Sequence, residues 1–305
     1  EMAVKVFEKH IESENKKICR QPHEDLFVVT DIIGMLKNPS VYYVKRLNNF
    51  GFGLNSESLE DKESYFPDKL SSYIIRRKIF NMISEQYERQ HIFKILRYSG
   101  QLPPYAFGRS FFDQEYNRMS DLYKKTGKNR EKLYKELEIN GRKVILDVEL
   151  MDGRNQLVFL SKPNGEKELE CLLSHMLVNM AGPVYTEVFF CDEDKNGLHI
   201  ITKRLQPPDN RYAEKIIKLY EQGLRAPLPI FPETLFKYIG KYKKGIIGKK
   251  HGEIELLQPD FQNEIDSNKG EYIRFLHGNR RLSEFDDLKQ LYTFFAQMHQ
   301  GVADG

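Results

Sequence analysis

Three consecutive runs between residues 131 and 163, EKLYKELEING, RKVILDVELMDGR and NQLVFLSKP, alternate apolar and polar side chains. Successive side chains of a strand point to opposite faces, so this alternation commits the middle of the chain to a half-buried sheet. Asp152-Gly153 separates the second and third runs, and that pair favours the positive-φ geometry of a two-residue hairpin. A second hairpin is expected in VYTEVFFCDEDKNGLHIITKRL (184–205), turning across Lys195-Asn196-Gly197. Between the hairpins, EKELECLLSHMLVNMAG (166–182) reads as a helix with a glycine stop.

Helical spacing dominates on either side. Residues 25–47 give a short strand-like run, then a helix capped by Thr30 or Asp31, with Asn38-Pro39 ending it and starting the next. Lys69 to Arg97 is read as one long helix, with Tyr73, Ile74, Ile79, Phe80, Ile83 and Tyr87 at mostly helical spacings. Gly100 and Pro103-Pro104 stop it before FGRSFFDQEYNRMSDLYKKT opens another. Residues 213–222 read as an amphipathic helix that Gly223 ends in a left-handed cap. Pro227, Pro229 and Pro232 then force an extended path, because each lacks an amide donor and restricts the residue before it. Leu228, Ile230 and Phe231 are too apolar for a free linker and predict a segment pinned to a core. A helix, a basic glycine-containing loop and a final helix from about Ser283 to His299 complete the chain. The fold class is α/β (mixed α+β), with a helical front, a central mixed sheet and flanking helices. Residues 1–24 are read as a polar lead-in from the preceding part of a longer protein, and 25–305 as the domain.

The composition excludes several functions. With 20 Phe, 17 Tyr and 40% hydrophobic residues a sizeable core forms, and charged residues nearly cancel to +3. That balance neither requires nor excludes nucleic acid. Cys19, Cys171 and Cys191 match no zinc or disulfide framework, which points to a reducing cytoplasm. No apolar run spans a bilayer, and no GxxxxGK[ST] or GxGxxG motif supports nucleotide binding. The eight histidines show no metal-ligand spacing, and Ser174-His175 are helix neighbours that point apart, so neither a metal site nor a Ser/His pair is expected. No cofactor is expected. The aromatic stripe Phe111, Phe112, Tyr116, Met119 and Tyr123 reads as core.

Three blocks carry a family resemblance: DIIGMLKNPSVYYVKRL with its downstream acidic loop, KELECLLSHMLVNMAG, and YEQGLRAPLPIFPET followed by EYIRFLHGNRRLSEFDDL. In order and spacing they resemble the C-terminal domain of RecC, the gamma subunit of the helicase-nuclease exodeoxyribonuclease V. The likeness covers roughly residues 25–295 and leaves out the helicase-like domains that precede this one in the family. It implies a restriction-endonuclease-like fold without nuclease activity, RecB-like and RecD-like partners, contact with forked or single-stranded DNA, and a role in double-strand break repair and recombination. It further implies that the domain scaffolds the RecD motor and helps guide or split the duplex.

A nuclease of that class holds Mg²⁺ with two carboxylates and often a His, beside a Lys near the attacking water. On that pattern Asp147 stands at the first carboxylate, Leu160 at the second, Lys162 at the lysine, and Phe112 at the His. One carboxylate does not hold a divalent cation, so a degenerate nuclease fold with no catalytic residue is the preferred reading. The alternative is an active Mg²⁺-dependent nuclease using Asp147, Glu149 and Lys162. Lys241, Lys243, Lys244, Lys249 and Lys250 crowd one loop, with His251 beside them, and Arg280-Arg281 follow a turn. They are either solvated faces or sequence-independent phosphate contacts. Lys124, Lys125, Lys128, Arg130 and Lys132 form a second such patch.

Overall fold

The computed structural model describes residues 26–47, 67–194, 197–206, 212–247, 254–267, 269–285 and 287–303. They fall into two compact units, each built from separated stretches of chain. The lead-in, the acidic loop at 48–64, and Lys249, Lys250 and His251 lie outside the described residues.

The first unit takes residues up to 52, 134–147 and 209–300. Strand β1 (Leu26–Val28) runs straight into helix α1 (Val29–Leu36). The expected cap at Thr30 or Asp31 is therefore displaced: Val28 is the N-cap and makes no side-chain cap bond. Asn38 then caps α2 (Pro39–Tyr42), its Oδ1 accepting from the Val41 N–H at 3.3 Å, with Pro39 in the first turn as anticipated. Strands β2 (Arg130–Ile139) and β3 (Arg142–Met151) pass through both units. They are joined by Asn140 and Gly141, both at positive φ, and β3 pairs in parallel with β1 in the order β1-β3-β2.

Beyond residue 212 the unit is helical, beginning with α7 (Ala213–Arg225). Here one expectation is corrected. Gly223 does not end this helix in a left-handed cap; it lies inside the last turn, buried, and Ala226 ends the helix in extended geometry. Glycine is needed there for space, since a Cβ would stand 2.4 Å from Met35 Cε and 2.6 Å from Met35 Sδ. The proline-rich segment that follows is pinned as its composition predicts, with Ile230 at 1% exposure and Phe231 at 0%. The Phe231 ring packs on Phe261, Phe285 and His277 with centroids 4.6, 5.3 and 5.6 Å away. Helices α8 (Pro232–Lys243), α9 (Gln258–Ile265), α10 (Gly270–His277) and α11 (Leu288–Ala303) follow.

The second unit takes residues 53–133, 148–208 and those beyond 300. The long helix expected over 69–97 is two: α3 (Lys69–Ser84) and α4 (Arg89–Tyr98). Gln86 takes φ 64° and the Tyr87 N–H reaches back to Met82 O at 2.9 Å, a C-terminal motif in which glycine is the usual residue. Helix α5 (Tyr105–Lys125) completes the helical front. The second sheet has the order β4-β5-β6. Strand β4 (Asn155–Phe159) pairs in parallel with β5 (Thr186–Asp194), which pairs antiparallel with β6 (Gly197–Leu205). Asp152 and Gly153 both take positive φ, so the predicted turn forms, but only the Met151–Arg154 bridge holds β3 to β4. Helix α6 (Gly165–Val178) links the parallel pair and is buried on nearly every side from Leu169 onward.

Candidate functional site

The residues singled out by pattern do not converge on one acidic centre. Phe112, on α5, is fully buried, and Leu160, just after β4, is 6% exposed; both belong to one apolar cluster with Phe189 and Cys191. Phe112 stacks at a tilt on Phe93 and Tyr116, with centroids 5.1 and 5.6 Å away. A buried carboxylate lies one turn along α5 from Phe112. Glu115 accepts from Arg76 Nε at 2.8 Å, from a second Arg76 nitrogen at 3.2 Å and from Arg118 at 2.9 Å. Its oxygens are thus committed to guanidinium groups, which supply the compensating charge that burial demands.

Lys162 is exposed and donates to Asp192 Oδ2 at 3.0 Å. Asp147 and Glu149 are exposed on β3, and Glu149 stands 4.0 Å from Arg130. Asp147 belongs to the first unit and Glu149 and Lys162 to the second, and β3 and β4 enter different sheets, so no ladder pairs Glu149 with Lys162. Among the described residues, no group of three or more His, Cys, Asp or Glu is placed to hold a metal ion.

Two polar networks escaped the sequence reading. In the first, Asn155 Nδ2 donates to Ser174 Oγ at 3.1 Å and to Thr186 Oγ1 at 3.0 Å, while the two His175 ring nitrogens meet Thr186 Oγ1 and Gln206 O at 2.8 and 2.7 Å. Burial pushes the His175 pKa down to about 4, so the ring is neutral and ties α6 to the sheet. In the second, Glu187 on β5 is 4% exposed and receives Arg154, Arg204 and Gln156 at 2.9, 2.6 and 2.9 Å. Burial alone would raise its pKa, but these donors outweigh burial and hold it below the usual carboxylate value. Cys171 and Cys191 are buried free thiols, and burial pushes their pKa values up to about 12 and about 11, away from thiolate chemistry.

The basic groups are distributed. Lys241 donates to Leu256 O at 3.0 Å and stands 3.7 Å from Asp260, whereas Lys243, Lys244, Arg280 and Arg281 are exposed. In the second patch Lys124 pairs with Asp121 at 2.9 Å, and Lys125, Lys128, Arg130 and Lys132 are exposed. No helix among the described residues is long and apolar enough to cross a membrane.

These features define a mixed α/β architecture with flanking helices, whose buried carboxylates among the described residues are bound by hydrogen-bond donors. A family model described as the RecC C-terminal domain matches residues 27–243, and the chain belongs to that family. It is 25% identical over 190 residues to the RecBCD enzyme subunit RecC of Escherichia coli (strain K12). The aligned region takes in 60% of this chain and 16% of that subunit's length.

Proposed function

We propose that this chain is a non-catalytic module of a RecBCD-type helicase-nuclease in double-strand break repair and homologous recombination. It would scaffold a RecD-like motor beside a RecB-like subunit and help guide or split duplex DNA, in the cytoplasm. Family membership supports the subunit role, and the helix–sheet–helix order supports a degenerate restriction-endonuclease-like fold. The observation that carries the non-catalytic reading is the fate of the pattern positions. Phe112 and Leu160 are buried in one apolar cluster, and Glu115, one turn from Phe112, is bound by Arg76 and Arg118. A hydrated Mg²⁺ needs several oxygen ligands, and neither an apolar cluster nor a guanidinium-bound carboxylate provides them.

The test is incubation of the purified chain with linear duplex and single-stranded DNA in Mg²⁺ or Mn²⁺. The expected result is no degradation, in wild type and in Asp147→Ala alike. Metal-dependent degradation that disappears in Asp147→Ala would reverse the assignment in favour of an active site built on Asp147, Glu149 and Lys162.

A further inference from the structure

Three aromatic rings stand in solvent around one corner of the second unit. Tyr98, the last residue of α4, is 83% exposed; Tyr105, the first of α5, is 91% exposed; Phe107, in the first turn of α5, is 55% exposed. Rings of this size are ordinarily among the better-buried side chains. We propose that this α4–α5 corner is a stacking platform for single-stranded nucleic acid. The proposal rests on the DNA-contact reading above, but uses residues that reading does not.

The connector is built to hold the rings still. Gly100, at φ 68°, and the Gln101 N–H bond to Leu96 O at 3.1 Å close α4, and Pro103-Pro104 then restrict the path. The Pro103 carbonyl lies so close to α5 that a Cβ on Gly108 would stand 2.0 Å from its oxygen. Tyr105 sits at φ 57°, a left-handed conformation that bulky side chains rarely take. A connector fixed in this way loses little freedom when a ligand stacks on it.

The cations are interleaved with the rings. Arg109 and Arg97 lie on the Phe93 ring, with Cζ 4.5 and 6.0 Å from its centroid, so guanidiniums from the end of α4 and the start of α5 share one aromatic support. Asp113 binds both Arg109 and Arg89, at 3.1 and 2.9 Å, and so offsets one of two charges. Among the described residues, Arg97 and Lys94 have no carboxylate within ion-pair distance. Residues 67–127 hold eleven Lys/Arg and six Asp/Glu, a net +5, while the whole chain is only +3. Single-strand binders pair such a positive surface with aromatic faces, because every base has a π-face and every linkage a phosphate. The core of a protein interface is depleted of lysine and acidic residues, although arginine is enriched there.

The test uses the full chain with fluorescein-labelled oligothymidylate and, in parallel, a duplex of equal length, at low salt. Tyr98→Ala/Phe107→Ala removes two rings and no charge, and at these exposures leaves the thermal melt in place. Loss of one stacked ring costs about tenfold or more in single-strand affinity. The double variant is therefore expected to bind the single strand at least tenfold more weakly, with duplex binding and its salt slope unchanged. At Tyr105, Phe keeps the affinity and Leu loses it, and 5-iodouracil in the oligonucleotide cross-links to Tyr98, Tyr105 or Phe107. Single-strand affinity unchanged by the double variant, or cross-links confined to other residues, overturns the platform while the DNA-contact reading survives in the duplex arm. Wild type that binds neither DNA overturns both.

Discussion

Glu264 on α9 is 8% exposed, and its carboxylate holds the first turn of α8. It accepts the Thr234 N–H at 2.9 Å, the Thr234 hydroxyl at 2.8 Å and the Glu233 N–H at 3.3 Å. Phe231, at the N-cap, makes no side-chain cap bond, so the cap comes from another helix. Burial is the largest influence on the carboxyl and outweighs these donors, pushing its pKa up to about 7 from an ordinary 4.5. A folded-state pKa above the unfolded one means that the group's contribution to stability is full below pH 4.5 and is lost as pH rises through 7. At about 1.36 kcal/mol per unit, the loss reaches about 3 kcal/mol by pH 8. His175 and His277 oppose this, since burial lowers each to about 4 and their contribution is lost as pH falls below 6.5. Glu264→Gln isolates the carboxyl. Urea unfolding followed by circular dichroism at pH 5, 6, 7 and 8 should show the wild type losing about 3 kcal/mol relative to the variant as pH rises. Parallel stability curves for the two proteins would refute the buried-cap argument.

Gly223→Ala should destabilise by about 1 kcal/mol, the crowding of Met35 exceeding the gain in helix propensity, and Met35→Ala in the same chain should make it neutral or stabilising; a double-mutant cycle measures the coupling. Phe231→Ala should cost about 3–5 kcal/mol, and an unchanged melting temperature would contradict its burial. Glu115→Gln should cost about 3–5 kcal/mol by stranding Arg76, whereas the paired change to Arg76→Met and Glu115→Leu should recover most of it in the same unfolding assay. Changing both Lys243 and Lys244 to Ala should lower the slope of log affinity against log salt for forked duplex by about 0.7–0.9 for each lysine that contacts a phosphate; equal slopes assign them to a solvated face.

Much of the architecture was legible because its signals are local. Strand alternation, Asp152-Gly153, Asn38-Pro39 and the apolar positions among Pro227, Pro229 and Pro232 each dictate backbone geometry within a few residues, and the corresponding elements form. The misses have physical reasons. The break in the 69–97 helix uses Gln86 at a position where glycine is the usual signal. The spatial role of Gly223 is invisible locally because its partner, Met35, lies nearly two hundred residues away in sequence. The separation of β3 from β4 depends on long-range pairing with β1 and β5, which no turn residue encodes. For Arg76 and Glu115 a signal did exist. Each shares the helical phase of an apolar stripe, Ile79, Phe80 and Ile83 for one and Phe112, Met119 and Leu122 for the other, where a charge requires a partner.

The buried thiols make the second unit its own conformational clock. Cys171 and Cys191 both belong to it, and neither ionises or meets reagent while the sheet and its linking helix stay closed. Their alkylation rate under native conditions therefore counts openings of that unit. A ligand that closes the unit should slow the count, which gives a readout of engagement that requires no catalytic turnover and no substitution in the protein.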